Sequence, residues 1–401
     1  RAAALAKANQ LVDSIRDVLA GTPWFHENWT REVLDQIELS FDAACKRWRE
    51  LYRAAVRQKD LHHRIIGDPS RPKAERVHSE RLRAQAESQI RLLTEAEGIY
   101  EGDFYSYRYF AAEGFLPGYN FPRLPLSAYV PGRRLRKGRD EYVSRPRFLA
   151  ISEFGPRALI YHEGARYRVY KVNLDFGSED IEASHDLVTA VMKRCESCGY
   201  AHLEQGANFT EICDRCGKAL DMPSVIQNLV QLQNVSLKLA QRITCDEEER
   251  QRFGYKLVTA YRFPDVDGRL DRRDAEVYVA GALAMRLSYG DSTSLYRINL
   301  GWTNQRGNQA PGFNLDLERG YWSRNQVDEQ DRDDATEQGR SVRVVPFVTD
   351  TKNALVMRFE PPRPASEMAS LQAAFKEAIQ KHFQIEPREL SSEPMPGPQE
   401  R

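Results

Sequence analysis

Two short stretches, RCESCGY at residues 194–200 and ICDRCGK at residues 212–218, carry the strongest structural signal in the chain. Each contains the pattern CxxCG, and fourteen residues lie between Cys198 and Cys213. Two residues between cysteines let one tight turn offer both sulfur atoms to a metal ion, and the following glycine permits the positive φ of such a turn. The spacing therefore predicts a structural zinc site with four thiolate ligands. These ligands are Cys195, Cys198, Cys213 and Cys216.

Other interpretations of these cysteines remain open at the level of sequence. A CxxC pair also occurs in redox-active proteins, and free thiols need no metal. His202 lies between the two pairs and His185 just before them, so either imidazole could replace a cysteine or lie beside one as a hydrogen-bond partner. Four thiolates would leave no open position on zinc, which favours a structural site over a catalytic one.

The composition narrows the class of protein. The 401 residues include 58 basic and 58 acidic side chains, so any affinity for nucleic acid must come from local clustering of charge. The six cysteines are too few for a disulfide-stapled secreted protein, which predicts a reducing, cytoplasmic location. No apolar run approaches the length of a membrane span, so we expect no membrane partner. Because the chain begins with Arg1, we expect it to be an internal piece of a longer protein.

Hydrophobic periodicity predicts an α+β protein in three parts. Residues 1–100 contain apolar residues at helical spacing and are expected to form a helical hairpin. Residues 101–250 are expected to be β-rich and to include the basic segment and the zinc ribbon, although residues 225–243 fit strands or a helix equally well. Residues 251–401 alternate in the manner of strands and end in a helix near 366–383, which predicts a mixed α/β domain.

The chain lacks the short motifs that carry common catalytic chemistry. GxxxxGK[ST], HExxH, GxSxG and GxGxxG are all absent from the sequence. We therefore assign no catalytic residue to these 401 positions.

A basic segment at residues 123–147 is the second candidate site. It carries eight arginine or lysine residues against two acidic ones, with aromatic residues interleaved. Arginine pairs with phosphate and aromatic rings stack on unpaired bases, so the segment predicts contact with nucleic acid, although a solvated basic loop explains the same composition. The proposed contact residues are Tyr119, Phe121, Arg123, Arg133, Arg134, Arg136, Lys137, Arg145 and Arg147.

Several blocks of sequence together resemble one protein family. They are EGFLPGYNFPRLPLSAYVPG (113–132), SRPRFLAISEFGPRALIYHEGARYRV (144–169), YVAGALAMRLSYGDSTSLYRINLGW (278–302), TDTKNALVMRF (349–359) and AAFKEAIQKHFQIEPRELSSEP (373–394). They resemble the region after the motor core of large superfamily-two helicases, and among these the DISARM anti-phage helicases of the DrmA type. MrfA-type repair helicases have a related four-cysteine region, which implies zinc ligation by the same four cysteines here.

The resemblance implies an accessory C-terminal part of an ATP-dependent DNA helicase or translocase in anti-phage defence. ATP and Mg²⁺ would then bind motor domains outside this chain. DNA and a DrmB-like subunit would be the partners. The alternative is a structural, zinc-containing protein-interaction module that never touches DNA.

Overall fold

The computed structural model describes residues 2–21, 25–94, 107, 109–110, 115–116, 125–131, 141–172, 189–204, 210–221, 224–242, 254–266, 269–303, 310–317, 320–322, 341–387 and 389–396. The chain divides into two compact units, residues 1–122 and residues 123–401. Among the described helices, none is both long and apolar enough to cross a membrane.

The first unit is helical. Its described helices are α1 (Ala2–Ser14), α2 (Arg16–Leu19), α3 (Trp29–Gly67) and α4 (Lys73–Thr94). Helices α3 and α4 form the predicted hairpin, which buries small and aliphatic side chains such as Ala55 and Ala86 where the helices approach. The Trp48 indole donates to the carbonyl of Leu93 and ties the two helices together at 3.1 Å. The N-terminal part of the predicted apolar stripe on α3, including Val33 and Phe41, remains substantially exposed.

The second unit is built mainly from β-strands. The strands are β1 (Leu126–Val130), β2 (Glu141–Arg145), β3 (Leu159–His162), β4 (Ala165–Val172), β5 (Ala190–Arg194), β6 (Ala201–Glu204), β7 (Val225–Gln231), β8 (Val235–Arg242), β9 (Tyr255–Arg262), β10 (Asp265–Val266), β11 (Arg269–Leu270), β12 (Arg273–Val279), β13 (Ala282–Trp302), β14 (Phe313–Asp316) and β15 (Ser341–Phe359). Two helices accompany them. They are α5 (Arg147–Glu153) and α6 (Ala365–Phe383).

A five-stranded sheet with the order β2-β1-β8-β4-β3 forms one layer. Alternate residues of β4 point inward, so that Tyr167 and Val169 enter a core that also receives Leu237 of β8. The same apolar cluster contains Leu315 of β14 and Val344 of β15. This sheet therefore packs against strands of the second sheet, and the two share a core.

The second sheet has eight strands and curls on itself. Its main path is β12-β13-β15-β7-β5-β6, with β9 paired to β13 and β14 paired to β15. A parallel bridge between Tyr200 and Tyr261 brings the β6 end of the sheet beside β9. The interior of this curl is apolar and includes Met192, Leu229 and Ile298. Strand β13 pairs with β15 over most of its length, with a register shift between Gly290 and Thr293.

The predicted class, mixed α and β with helices at both ends, is confirmed. Residues 225–243, which the sequence left ambiguous, contain strands β7 and β8 because each finds a partner strand in a different sheet. A domain boundary was predicted near residue 250. Strands β5, β6 and β7 before this position belong to the same sheet as β9 and later strands after it. Residues 123–401 accordingly form one compact unit.

Candidate metal centre

Each CxxCG stretch forms a tight turn closed by two backbone hydrogen bonds. In the first turn, the N–H of Cys195 donates to the carbonyl of Tyr200 and the N–H of Gly199 donates back to Cys195. The second turn repeats the pattern with Cys213, Gly217 and Lys218, at the same distances to within 0.1 Å. Both glycines have the predicted positive φ, 74° at Gly199 and 71° at Gly217. The turns therefore aim their thiols in the same way because they share one backbone geometry.

The two turns bring all four thiols together. The Sγ atoms of Cys195, Cys198, Cys213 and Cys216 all lie within 4.8 Å of one another. The closest pairs cross between the turns: Cys195 to Cys216 at 3.6 Å and Cys198 to Cys213 at 3.7 Å. A zinc ion with bonds of about 2.3 Å to four thiolates in a tetrahedron needs sulfur-to-sulfur edges of about 3.8 Å. The cluster could hold a metal ion, and its donor set fits zinc.

The electrostatics of the cluster also call for a cation. Burial raises the pKa of the Cys195 thiol. In the other close pair, a hydrogen bond from the Cys198 thiol raises the pKa of Cys198, and it lowers the pKa of Cys213 to about 3. Four thiolates this close repel one another, so all four can ionise together only around a positive ion.

Two histidines, His185 and His202, were candidates to replace a cysteine ligand or to lie beside one. His185 lies outside the described residues. His202 is almost fully buried on β6, and its Nε2 lies 3.5 Å from the sulfur of Cys213. The cluster already has four sulfur donors, so this contact places His202 beside a ligand and not among the ligands.

The cysteine turns are anchored to the curled sheet by an apolar cluster. Cys195 and Cys213 are buried together with Tyr200, Tyr261 and Phe263. Tyr200 meets Tyr261 edge-on, with 5.4 Å between ring centroids. The site is therefore continuous with the core of the second unit.

Polar contacts, and contacts with the tail at residues 395–396, also hold the cysteine turns to the rest of the second unit. The guanidinium of Arg215, inside the second turn, donates to the hydroxyl of Ser288 on β13 at 2.5 Å. Met395, near the other end of the chain, packs into the same apolar cluster beside Gly199. Arg194 donates to the carbonyl of Thr259 and to that of Pro396, so it joins the first turn to β9 and to the tail. Arg194 could have been suspected because it directly precedes Cys195, whereas no local signal in the sequence points to Met395.

The basic segment is described only in part. Tyr119, Phe121, Arg123, Arg133, Arg134, Arg136 and Lys137 lie outside the described residues. Arg145 ends β2, and its guanidinium forms a 2.6 Å ion pair with Glu153. Arg147 begins α5, is only 8% exposed and donates to the carbonyl of Thr349 on β15 at 3.5 Å. A side chain buried to this extent offers little surface to a phosphate, and its contact joins α5 to β15.

The described part of the segment includes the hairpin of β1 and β2. Leu126 pairs with Arg145 at one end of the hairpin, and Val130 pairs with Glu141 at the other. Residues 132–140, which carry four of the proposed contacts, lie outside the described residues.

No protein-family model matches this chain, and no curated protein or solved structure was found to be similar to it. The helicase resemblance therefore depends on the sequence blocks quoted above. The arguments that follow start from the cysteine cluster and from the contacts around it.

Proposed function

We propose that Cys195, Cys198, Cys213 and Cys216 hold one structural zinc ion. The observation that carries this proposal is the set of four thiols at near-tetrahedral spacing, of which Cys195 and Cys213 are buried in an apolar cluster. Zinc, when bound, would link the two turns through four bonds and leave no position for a substrate. The chain's own contribution is to orient the thiols through the backbone of the two turns.

Metal analysis of the purified chain tests this assignment. We expect about one zinc per chain, and we expect Cys213→Ser to lose it, because zinc binding is part of the folding free energy of such sites. Cys45→Ser, in the helical unit, is the matched control and should retain full zinc. Full zinc in Cys213→Ser would refute the site.

We further propose that the chain is a non-catalytic accessory region of a cytoplasmic, ATP-dependent DNA helicase or translocase in anti-phage defence. The resemblance of five sequence blocks supports this class. The basic residues in the sequence between β1 and β2 support contact with the DNA backbone. ATP and Mg²⁺ would act in motor domains elsewhere in the whole protein.

The salt dependence of DNA binding tests the DNA contact. If Arg133, Arg134, Arg136 and Lys137 each neutralise one phosphate, their joint replacement by alanine should reduce the salt slope by about 3 to 4 units. All DNA sequences should weaken about equally, because phosphate contacts carry no base information. Replacing four other basic residues controls for net charge. These are Arg358, Arg363 and Lys381, which are exposed, and Lys376, which is half-buried.

The second candidate function is a structural interaction module without DNA contact. It is favoured by the engagement of Arg145 and Arg147 within the fold. An unchanged affinity and salt slope in the quadruple alanine variant would decide for this alternative.

A partner subunit, which the helicase resemblance implies to be DrmB-like, belongs to both candidates. Its proposed docking surface lies in residues 251–401, where the β12–β13 turn exposes apolar side chains: Tyr278 is 59% exposed and Val279 is 63% exposed. Replacing both with glutamate should abolish co-purification of that partner from cells that carry the whole system. Leu39→Glu, at an exposed apolar position in the helical unit, should not. Co-purification that persists without residues 251–401 would exclude this surface.

A further inference from the structure

We propose that His202 is a positioning residue of the metal centre: its Nε2–H donates to the sulfur of Cys213 and holds the second cysteine turn in its metal-binding form. This inference rests on the proposed zinc site and adds a role for a residue outside the four ligands. It is carried by two observations, namely a contact at hydrogen-bond distance to a ligand sulfur and nearly complete burial.

The residues around His202 restrict the orientation of its imidazole ring. The residue lies on β6, paired with Lys193 of β5, and is 2% exposed. Tyr200 meets the imidazole edge-on, with 5.2 Å between ring centroids, and limits its rotation. A buried ring must place its polar atoms on protein groups, and the sulfur of Cys213 lies 3.5 Å from Nε2. The contact is therefore a consequence of where β6 places the ring.

The opposite side of the ring faces a second negative group. Nδ1 of His202 lies 3.2 Å from Oδ2 of Asp214, at ion-pair distance although out of line for a hydrogen bond. A metal-bound thiolate carries no proton and can only accept a hydrogen bond, so Nε2 is the donor in the contact with the sulfur of Cys213.

A positive group lies close to the first turn. Four thiolates carry twice the charge that one zinc ion neutralises, so positive groups nearby stabilise the loaded site. The Arg194 guanidinium interacts with Cys195 and Cys198 of the first turn. Lys193, across the strands from His202, directs its ammonium to the carbonyl of Thr210 at 2.7 Å. Arg194 is thus the charged neighbour of the first turn, whereas His202 is the hydrogen-bond donor to the second.

The expected consequence is tighter retention of the metal. An N–H···S hydrogen bond withdraws negative charge from the sulfur and fixes the orientation of the side chain. Loss of such partners of metal ligands typically costs about 10–100-fold in metal affinity. His202→Phe keeps a ring of similar size but has no donor, whereas His202→Gln keeps an N–H near the position of Nε2.

The experiment compares these variants in the whole 401-residue chain. Zinc affinity is measured by competition with a chromophoric chelator, and Co²⁺ is used as a spectroscopic probe because its thiolate-to-metal absorption responds to charge on sulfur. We expect His202→Phe to lose about 10–100-fold in zinc affinity and to shift the cobalt band. We expect His202→Gln to recover most of both. Equal affinity and an unshifted band in His202→Phe would overturn the proposal.

Absence of zinc from the unmodified chain would refute the proposed zinc site itself, whereas normal zinc with an indifferent His202 refutes only this inference.

Discussion

The cysteine turns and the basic segment are both short, chemically distinctive stretches of the second unit, yet the fold treats them differently. The four thiols converge to within 4.8 Å, because each turn is local and both turns pack into one apolar cluster. Of the described arginines in the basic segment, Arg145 is substantially exposed at the end of a strand and Arg147 is buried. Spacing that closes a turn is kept on folding, whereas nearness along the sequence does not by itself place two side chains in the same environment.

The largest expected loss of stability comes from removing an aromatic ring beneath the cysteine turns, because the rings of the hairpin are less buried. Tyr200→Ala removes a fully buried ring beneath the first cysteine turn and should cost about 3–5 kcal/mol of unfolding free energy. Tyr129→Ala, in the hairpin, removes a half-buried cross-strand contact with Tyr142 and should cost about 1 kcal/mol or less. Urea denaturation of the two variants measures both values. Equal losses would show that the hairpin is as firmly packed as the metal centre.

Lys171, which lies outside both regions, shows that a basic residue in the sequence need not be a charge at the surface. Lys171 on β4 is 4% exposed, and burial lowers its pKa to about 8. Because this pKa lies below the unfolded value, the unfolded chain binds more protons between about pH 8 and 10.4, and stability should rise with pH across that window.

Below about pH 8 the folded protein bears the full cost of burying the charged Lys171 ammonium, which is at most about 3 kcal/mol of unfolding free energy. Lys171→Met should therefore be more stable than the unmodified chain at pH 7, and its advantage should shrink towards pH 10.4. Thermal unfolding across this pH range measures the difference. A constant difference between the two proteins would mean that Lys171 titrates normally.

A variant of Arg147 can distinguish a role in stability from a role in nucleic-acid binding. Its burial and its bond to the carbonyl of Thr349 predict that Arg147→Ala costs about 2 kcal/mol of unfolding free energy. DNA affinity and its salt slope should stay unchanged, in contrast to the variant of the 132–140 loop. A reduced slope with unchanged stability would return Arg147 to the predicted DNA-contacting set.

The two glycines test whether the cysteine turns are equivalent. Gly217→Ala places a Cβ in open space, so it should cost only the left-handed backbone penalty of about 1–2 kcal/mol. In Gly199→Ala the new Cβ would also lie 3.0 Å from the sulfur of Met395, so the loss should be larger. Equal losses would indicate that the tail does not press on the first turn in solution.

The smallest effect is expected at Arg145. Its ion pair with Glu153 is substantially exposed, and such pairs contribute about 0–1 kcal/mol. Arg145→Ala should therefore leave both stability and the salt slope of DNA binding nearly unchanged. A slope reduced by about 0.7–0.9 would show that Arg145 makes its own phosphate contact.

The sequence by itself determined the cysteine turns, the helical character of both ends and the strand-rich middle. Each depends on interactions over a few residues: the CxxCG spacing, the helical recurrence of apolar residues and the alternation along strands. Strands β7 and β8 stayed ambiguous because their apolar content fits either structure, and only their partner strands decide it.

Tertiary structure alone decided which groups surround the metal site. His202 reaches Cys213 because β6 turns its side chain inward, and Met395 reaches Gly199 because the tail returns across the sheet. It also decided that Arg147 is buried and that Lys171 lies in the core. These outcomes depend on contacts between residues far apart in the chain, whose energies no local pattern records.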